Sequence, residues 1–212
     1  MDNATDEDSE LAGRLRRGDQ AALAELFARH RERLWRLVNF RLDHRLLGRV
    51  DPDDLLQDSF LAAAQRIEHF AKTESMSPFV WLRLIVCQTL VDMHRHHLGA
   101  QLRDAGREVG LNAGPWPQTT SASLANQLVG NVTSPSQAVG RAEMVQKVEQ
   151  AIAQMNETDQ EILALRHFEE LTNSEVAESL GIEQKAASIR YVRALTRLQN
   201  ILADVPGLLS EP

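Results

Sequence analysis

The stretch from Leu171 to Leu202 constrains the fold of this chain more than any other part of its sequence. Thr172 and Glu175 have the spacing of a capping box, which predicts a short helix that begins just after Thr172. Gly181 follows, and glycine is the residue that most readily ends a helix in the left-handed conformation. A longer helix comes next, and its apolar side chains recur along one stripe: Ala187, Tyr191, Ala194, Leu198 and Ile201. This order predicts a helix-turn-helix.

The second helix of this motif carries side chains suited to DNA on the side opposite the apolar stripe. Arginine binds phosphates and guanine edges, and apolar side chains can contact thymine methyl groups. A helix in the major groove reads bases mainly with its N-terminal part. We therefore expect base contacts from Ser188, Ile189 and Arg193, and phosphate contacts from Lys185, Arg190 and Arg197. A plain corner of a helical bundle is the alternative for this stretch taken alone.

The run LRHFEELTNSEVAESLGIEQKAASIRYVRALTRL resembles the C-terminal helix-turn-helix of the extracytoplasmic-function (ECF) group of bacterial RNA polymerase sigma factors. The sequence departs from the usual family pattern in two places. Glu183 stands where relatives usually carry serine or threonine, and residues 186–190 replace a Thr-Val-Lys-Ser-Arg-like run. The resemblance implies promoter DNA as a partner, without defining the promoter sequence.

The N-terminal half of the chain predicts further helices. Residues 11–47 have helical periodicity with a break at Gly18, and Asp51 followed by Pro52 and two acids predicts another helix start. The run DPDDLLQDSFLAAAQRIEHF resembles the sigma-factor segment that docks on the clamp helices of the polymerase's largest subunit. The resemblance implies polymerase contacts at Asp54, Leu55, Gln57 and Asp58. Helix capping alone is the simpler explanation of the acidic residues.

A strongly apolar helix is predicted from Pro78 to about Leu98. The segment FVWLRLIVCQTLVDMHRHH resembles the promoter-melting and minus-ten-reading helix of the same family, with glutamine at residue 88 where asparagine is usual. The resemblance implies DNA contacts from Trp81, Gln88, Asp92, Arg95 and His96. The histidines near the end of this helix lack the spacing of a metal site, so no metal is expected.

Residues 102–140 are rich in glycine, proline and small polar residues, which predicts a linker without regular structure. Such a long segment inside one compact domain would be unusual, so we expect it to separate two domains. The sequence thus predicts an all-α protein, with one helical domain over residues 1–101 and a four-helix domain over residues 141–212. By resemblance these are sigma regions 2 and 4.

The composition limits the classes of function that the chain fits. The net charge is −7, and a factor that binds DNA with the help of a larger partner tolerates that balance better than a stand-alone repressor. Cys87 is the only cysteine, and no apolar run reaches the length of a membrane span, so we expect a cytoplasmic protein without membrane insertion. No phosphate loop or catalytic triad pattern is present, and we expect neither enzyme activity nor a cofactor.

We therefore interpret the sequence as that of a sigma factor that directs RNA polymerase to promoters and starts transcription. The partners that the resemblance implies are core RNA polymerase, through its largest-subunit clamp helices and its flap, and promoter DNA. An anti-sigma factor is a further candidate partner. Two other hypotheses stay open at this point: a stand-alone helix-turn-helix regulator, and a helical adaptor protein that does not bind DNA.

Overall fold

The computed structural model describes residues 2–43, 46, 48–73, 76–98, 121–132 and 138–205. The chain splits into two compact units, Met1–Pro117 and Gln118–Pro212. The described residues form ten α-helices and no strand, which confirms the expected all-α fold. Among those helices, none has the length and hydropathy needed to cross a membrane.

The first unit contains five helices: α1 (Asp2–Arg16), α2 (Gln20–Arg41), α3 (Pro52–Ala64), α4 (Ile67–Ala71) and α5 (Pro78–Leu98). Gly18 has a φ of +86°, and Asp19 caps α2 by accepting a 2.9 Å hydrogen bond from the backbone N–H of Ala21. The predicted break therefore lies where the sequence placed it. The helix after the break is shorter than predicted, since α2 ends at Arg41 and not at residue 47.

The core of the first unit lies between α2, α3 and α5. Phe27 of α2 and Phe60 of α3 meet edge to face, with ring centroids 5.3 Å apart. The broad apolar face predicted for α5 is confirmed, and its fully buried part includes Leu82, Val86, Cys87 and Leu90. This packing fixes which sides of α3 and α5 remain exposed, and those two sides carry the candidate contact residues other than Leu55 and Trp81, which are buried.

The second unit contains the other five helices: α6 (Ser121–Val132), α7 (Ala138–Ile152), α8 (Glu157–His167), α9 (Asn173–Leu180) and α10 (Gln184–Ala203). Asn156 caps α8 by accepting a 2.8 Å hydrogen bond from the backbone N–H of Asp159. The core forms where α7, α8 and α10 converge, around Val148, Ile152 and Leu163.

Helix α6 corrects the extent of the predicted linker. It lies within residues 102–140 and packs on α7, with Leu124, Ala125 and Val129 buried. These positions are spaced as one face of a helix, but the surrounding serine, asparagine, glutamine and glycine residues conceal that spacing. The second unit therefore has five described helices where four were predicted. Residues 102–120 and 133–137, which belong to the same prediction, lie outside the described residues.

The packing of α6 can be tested with Leu124→Ala. Leu124 is 2% exposed, and truncation of a buried leucine costs about 2–5 kcal/mol because it leaves a cavity. We expect urea unfolding of the second unit, followed by circular dichroism, to show a loss of that size. The matched control is Asn126→Ala on the exposed side of α6, which should change stability by less than about 0.5 kcal/mol. An unchanged transition in Leu124→Ala would mean that α6 does not belong to this core.

Candidate nucleic-acid and partner interfaces

Helix α3 exposes a stripe of polar side chains on its outer side. Asp51 caps the helix, and Asp53 pairs with Arg31 of α2 at 2.8 Å, so both acids have structural roles. Asp54, Gln57 and Asp58 are exposed, and within the described part of the chain they make neither hydrogen bonds nor ion pairs through their side chains. Their spacing places them on one face of the helix. Capping therefore does not account for these three residues.

Two leucines change the composition of this candidate docking face. Leu55 is 3% exposed and lies in the core, so its side chain supports α3 from beneath and does not face a partner. Leu61 is 52% exposed and lies one turn beyond Gln57 and Asp58 on the same stripe. Sequence reasoning selected Leu55 and missed Leu61. Leu61 lies seven residues after Asp54, and this spacing places it on the same face of the helix. An apolar residue in a largely apolar helix is expected in the core, so the spacing does not attract attention.

Helix α5 presents the predicted minus-ten residues along one stripe. Gln88, Asp92, Arg95 and His96 recur at helical spacing, and the last three residues are exposed while Gln88 is half-buried. The carboxylate of Asp92 lies 3.7 Å from the guanidinium of Arg95. Gln88 accepts a hydrogen bond from the guanidinium of Arg66, so its carbonyl oxygen is held in one direction. The structure therefore keeps four of the five predicted residues on an accessible side of α5.

Trp81 is the fifth predicted residue, and its side chain is 2% exposed. Its ring packs on Phe70 of α4, with centroids 4.7 Å apart. It nevertheless reaches a groove of about 540 Å³ between α4 and α5, which is lined by Gln65, Arg66, Glu68, His69, Lys72, Trp81, Leu84, Ile85 and Gln88. Three of these side chains are basic. The ring of Trp81 thus shapes the floor of the groove, whereas the sequence suggested an exposed contact.

The helix-turn-helix is formed by α9 and α10, as predicted. Thr172 Oγ1 accepts from the backbone N–H of Glu175 at 3.2 Å, and the carboxylate of Glu175 accepts from the backbone N–H of Thr172 at 2.7 Å. Gly181 ends α9 with φ of +63° and ψ of +37°, where a side chain would be strained. The predicted capping box and left-handed glycine are therefore confirmed.

The two sides of α10 are those that the periodicity predicted. Ala187 and Ala194 are completely buried, while Ile189 is 44% and Val192 is 60% exposed. Lys185, Arg190 and Arg193 are also exposed. Within the described residues their charged groups have no hydrogen-bond or ion-pair partner. This side of α10 offers unpaired cations next to exposed apolar groups, which is the chemistry needed to bind phosphates and base edges.

Arg197 differs from these three cations. Its guanidinium pairs with the carboxylate of Asp159, which is 13% exposed at the start of α8 and also accepts a 2.9 Å hydrogen bond from Asn156. Arg197 therefore joins the C-terminal half of α10 to α8. The sequence assigned it to phosphates, but in this structure its charge is already compensated.

Ser188 is half-buried and bonded to the neighbouring helix. Its Oγ lies 2.6 Å from Nδ2 of Asn173, the first residue of α9. Sequence reasoning did not identify Asn173, because a residue at the start of a helix gives no periodic signal about a contact on another helix.

Tyr191 and His167 join α10 to α8 on the other side of the motif. Tyr191 Oη and His167 Nε2 are 3.0 Å apart, and the guanidinium of Arg166 lies over the tyrosine ring, 5.2 Å from its centroid. Burial, together with the nearby positive charge of Arg166, lowers the pKa of His167 below its ordinary value of 6.5.

Two family models match the chain, one in each unit. Sigma-70 region 2 matches residues 26–98, and Sigma-70, region 4 matches residues 151–200. Together the two matches cover more than half of the chain and contain the α3, α5, α9 and most α10 residues described above. Their order along the chain is the order that the sequence analysis expected.

Similar proteins extend this likeness over almost the whole length. The chain is 26% identical over 192 residues to the ECF RNA polymerase sigma factor SigW of Bacillus subtilis (strain 168), covering 90% of this chain and 94% of the relative. It is 26% identical over 203 residues to the RNA polymerase sigma factor CnrH of Cupriavidus metallidurans, covering 94% and 96%. The solved structure of CnrH in complex with the cytosolic domain of CnrY has a TM-score of 0.52 at 22% identity, over 93% of this chain and 99% of that one, which supports the fold.

The chain therefore belongs to the sigma-70 family, within the ECF group of RNA polymerase sigma factors. As a sigma factor it directs promoter recognition and the initiation of transcription. The two sigma regions in one chain favour this function over a stand-alone regulator or a helical adaptor.

The environment of His167 predicts a pH dependence. Because the pKa is lower in the folded protein, the unfolded chain takes up the proton first, and the free energy of unfolding falls as the pH drops below about 6.5. We expect the free energy of unfolding of His167→Gln to fall less than that of the wild type over this pH range. Urea unfolding between pH 5 and pH 8 measures it, with His69→Gln, at an exposed histidine of α4, as the control. Parallel curves for wild type and His167→Gln would contradict the prediction.

Proposed function

We propose that α3 docks on core RNA polymerase through Asp54, Gln57, Asp58 and Leu61. Unpaired acids and an amide on one stripe suit a basic surface on the partner, such as the clamp helices that the family resemblance implies. The exposed leucine adds apolar area beside them, and interfaces commonly combine an apolar centre with polar surroundings. Leu55 takes no part in this contact, and its role is to hold α3 against the core.

The stripe of α5 and the groove beside it form the proposed surface for the minus-ten element. Melted DNA offers unstacked bases, and proteins bind such bases in basic grooves with aromatic walls. The groove of about 540 Å³ has the basic side chains of Arg66, His69 and Lys72 and the aromatic floor of Trp81. Gln88, held by Arg66, would read a base edge at the groove, with Asp92, Arg95 and His96 further along the strand.

The exposed side of α10 forms the proposed surface for the upstream promoter element. Ser188, Ile189 and Arg193 would contact bases in the major groove, and Lys185 and Arg190 would contact phosphates. The observation that carries this proposal is the absence of any intramolecular partner for Lys185, Arg190 and Arg193 among the described residues, in contrast to Arg197. Charges without a partner in the free protein remain available to DNA.

Two further contacts belong to the proposal. The second unit has an apolar cavity of about 280 Å³, lined by Leu124, Leu128, Ile152, Leu163, His167, Phe168, Leu195 and Leu198, which could receive an apolar side chain of the polymerase flap. An anti-sigma factor would regulate the protein by binding it in place of the polymerase. Support for such a partner comes from CnrH, which has been solved in complex with the cytosolic domain of CnrY.

The docking surface is tested by the double variant Gln57→Ala with Asp58→Lys. We expect loss of co-purification with core polymerase, because the new cation faces a basic surface, while thermal stability changes by less than about 1 kcal/mol. The control is Glu143→Lys, a charge reversal of the same size at an exposed position of α7. Wild-type assembly of the double variant with core polymerase would rule out the docking role of α3.

Base reading by α10 is tested by comparing Arg193→Ala with Arg197→Ala. The first should weaken promoter use by about 1–3 kcal/mol and relax the preference at one or two positions, because a guanidinium fork on guanine is lost. The second leaves the largely buried Asp159 carboxylate without its cation, so it should lower stability by about 1–3 kcal/mol and leave the base preference unchanged. The measurement is transcription by the holoenzyme from a randomised upstream element at two salt concentrations.

If Arg193→Ala lowered transcription equally for every sequence, and more so at low salt, this arginine would bind only phosphate. If Arg197→Ala gave that result, the ion pair with Asp159 would have to open on DNA.

A further inference from the structure

Asn173 holds the start of α10 through its side-chain amide. Its Nδ2 lies 3.2 Å from the backbone oxygen of Gln184 and 2.6 Å from Ser188 Oγ. A backbone carbonyl can only accept, so the amide group must turn its nitrogen, and not its oxygen, toward Gln184. The same nitrogen is then the donor to Ser188. The network therefore fixes the direction of the hydrogen bond to the serine hydroxyl.

Ser188 differs in this respect from other hydroxyl side chains on the helices. Three of them donate to the backbone carbonyl four residues earlier, at 2.8–3.1 Å: Ser59, Thr89 and Thr196. For Ser188 that carbonyl would be the one of Gln184, but the Asn173 amide already occupies it. Among the described residues, Asn173 is the hydrogen-bond partner of Ser188 Oγ. The hydroxyl accepts from Asn173, and its own hydrogen remains free to be donated outward.

We infer that Asn173 is a specificity-determining positioning residue, which sets Ser188 as a hydrogen-bond donor toward a base edge. The inference rests on the proposed role of α10 at the upstream element. In the major groove, guanine offers N7 and O6 as acceptors, adenine offers N7 and thymine offers O4, whereas cytosine offers its N4 amino donor. The base nearest to Ser188 should therefore be guanine, adenine or thymine, and cytosine should be disfavoured at that position.

The test is transcription by reconstituted holoenzyme from a promoter library with a randomised upstream element, read by sequencing the transcripts. We expect Ser188→Ala and Asn173→Ala to reduce the discrimination against cytosine at the same single position, each by about fivefold, which is typical of one net hydrogen bond. The double variant should lose no more than either single variant, because the two residues act through one bond. Asn126→Ala, at an exposed asparagine of α6 in the same unit, should keep the wild-type preference.

Asn173→Asp gives a result that a merely structural role would not give. A carboxylate only accepts, so it cannot bond the Gln184 carbonyl as the amide does, but the Ser188 hydroxyl can donate to it and would then present its lone pairs to DNA. The preference at that position should then shift toward bases with an amino donor, cytosine and adenine. Aspartate suits the first turn of a helix, so α9 is expected to form, and circular dichroism checks this.

The inference is overturned if Asn173→Asp keeps the wild-type preference, or if Asn173→Ala and Ser188→Ala alter different positions or act additively. Those results leave the proposed role of α10 intact, provided that the wild-type holoenzyme still prefers particular upstream bases. A wild-type holoenzyme without any preference in that element would overturn the proposed role of α10, and this inference with it.

Discussion

The close packing of α10 through Ala187 and Ala194 is the contact on which the second unit depends. Both side chains are completely buried, and their small size lets the helix lie directly against α8 and α9. Because each residue turns a helix by about 100°, this contact alone determines that Ile189, Val192 and Arg193 face away from the core. Arg197 with Asp159 and Tyr191 with His167 then hold the helix at two further points. A larger residue at either alanine would shift every candidate DNA contact of α10 together.

Local rules predicted the parts of the structure that depend on neighbouring residues in the chain. The capping box at Thr172, the left-handed Gly181 and the start of α3 at Asp51 follow from hydrogen bonds that span a few residues, and each is present. The two sides of α10 follow from periodicity in the same way. The likeness to the sigma-70 family carried the function, which no single residue pattern would have defined, because a helix-turn-helix alone occurs in many regulators.

The remaining details depend on which distant residue covers each side chain, and periodicity cannot show that. Trp81 lies on the same stripe as Gln88 but is covered by Phe70 of α4. In the sequence Arg197 is one more basic residue on α10, and nothing there indicates that Asp159 of another helix lies beside it. Helix α6 was hidden for a related reason: serine, asparagine, glutamine and glycine separate its apolar residues, and its packing on α7 is what makes Leu124 and Val129 core residues.

The pairing of Arg197 also bears on why a chain with a net charge of −7 can act on DNA. With that arginine compensated, the described part of α10 offers Lys185, Arg190 and Arg193 as unpaired cations. Phosphate contacts from Lys185 and Arg190 would release about two counterions, fewer than the six to ten phosphate contacts of strongly salt-dependent DNA-binding proteins. We therefore expect such a helix to bind duplex DNA weakly on its own. With the docking proposed for α3, the polymerase would supply the remaining affinity for the promoter.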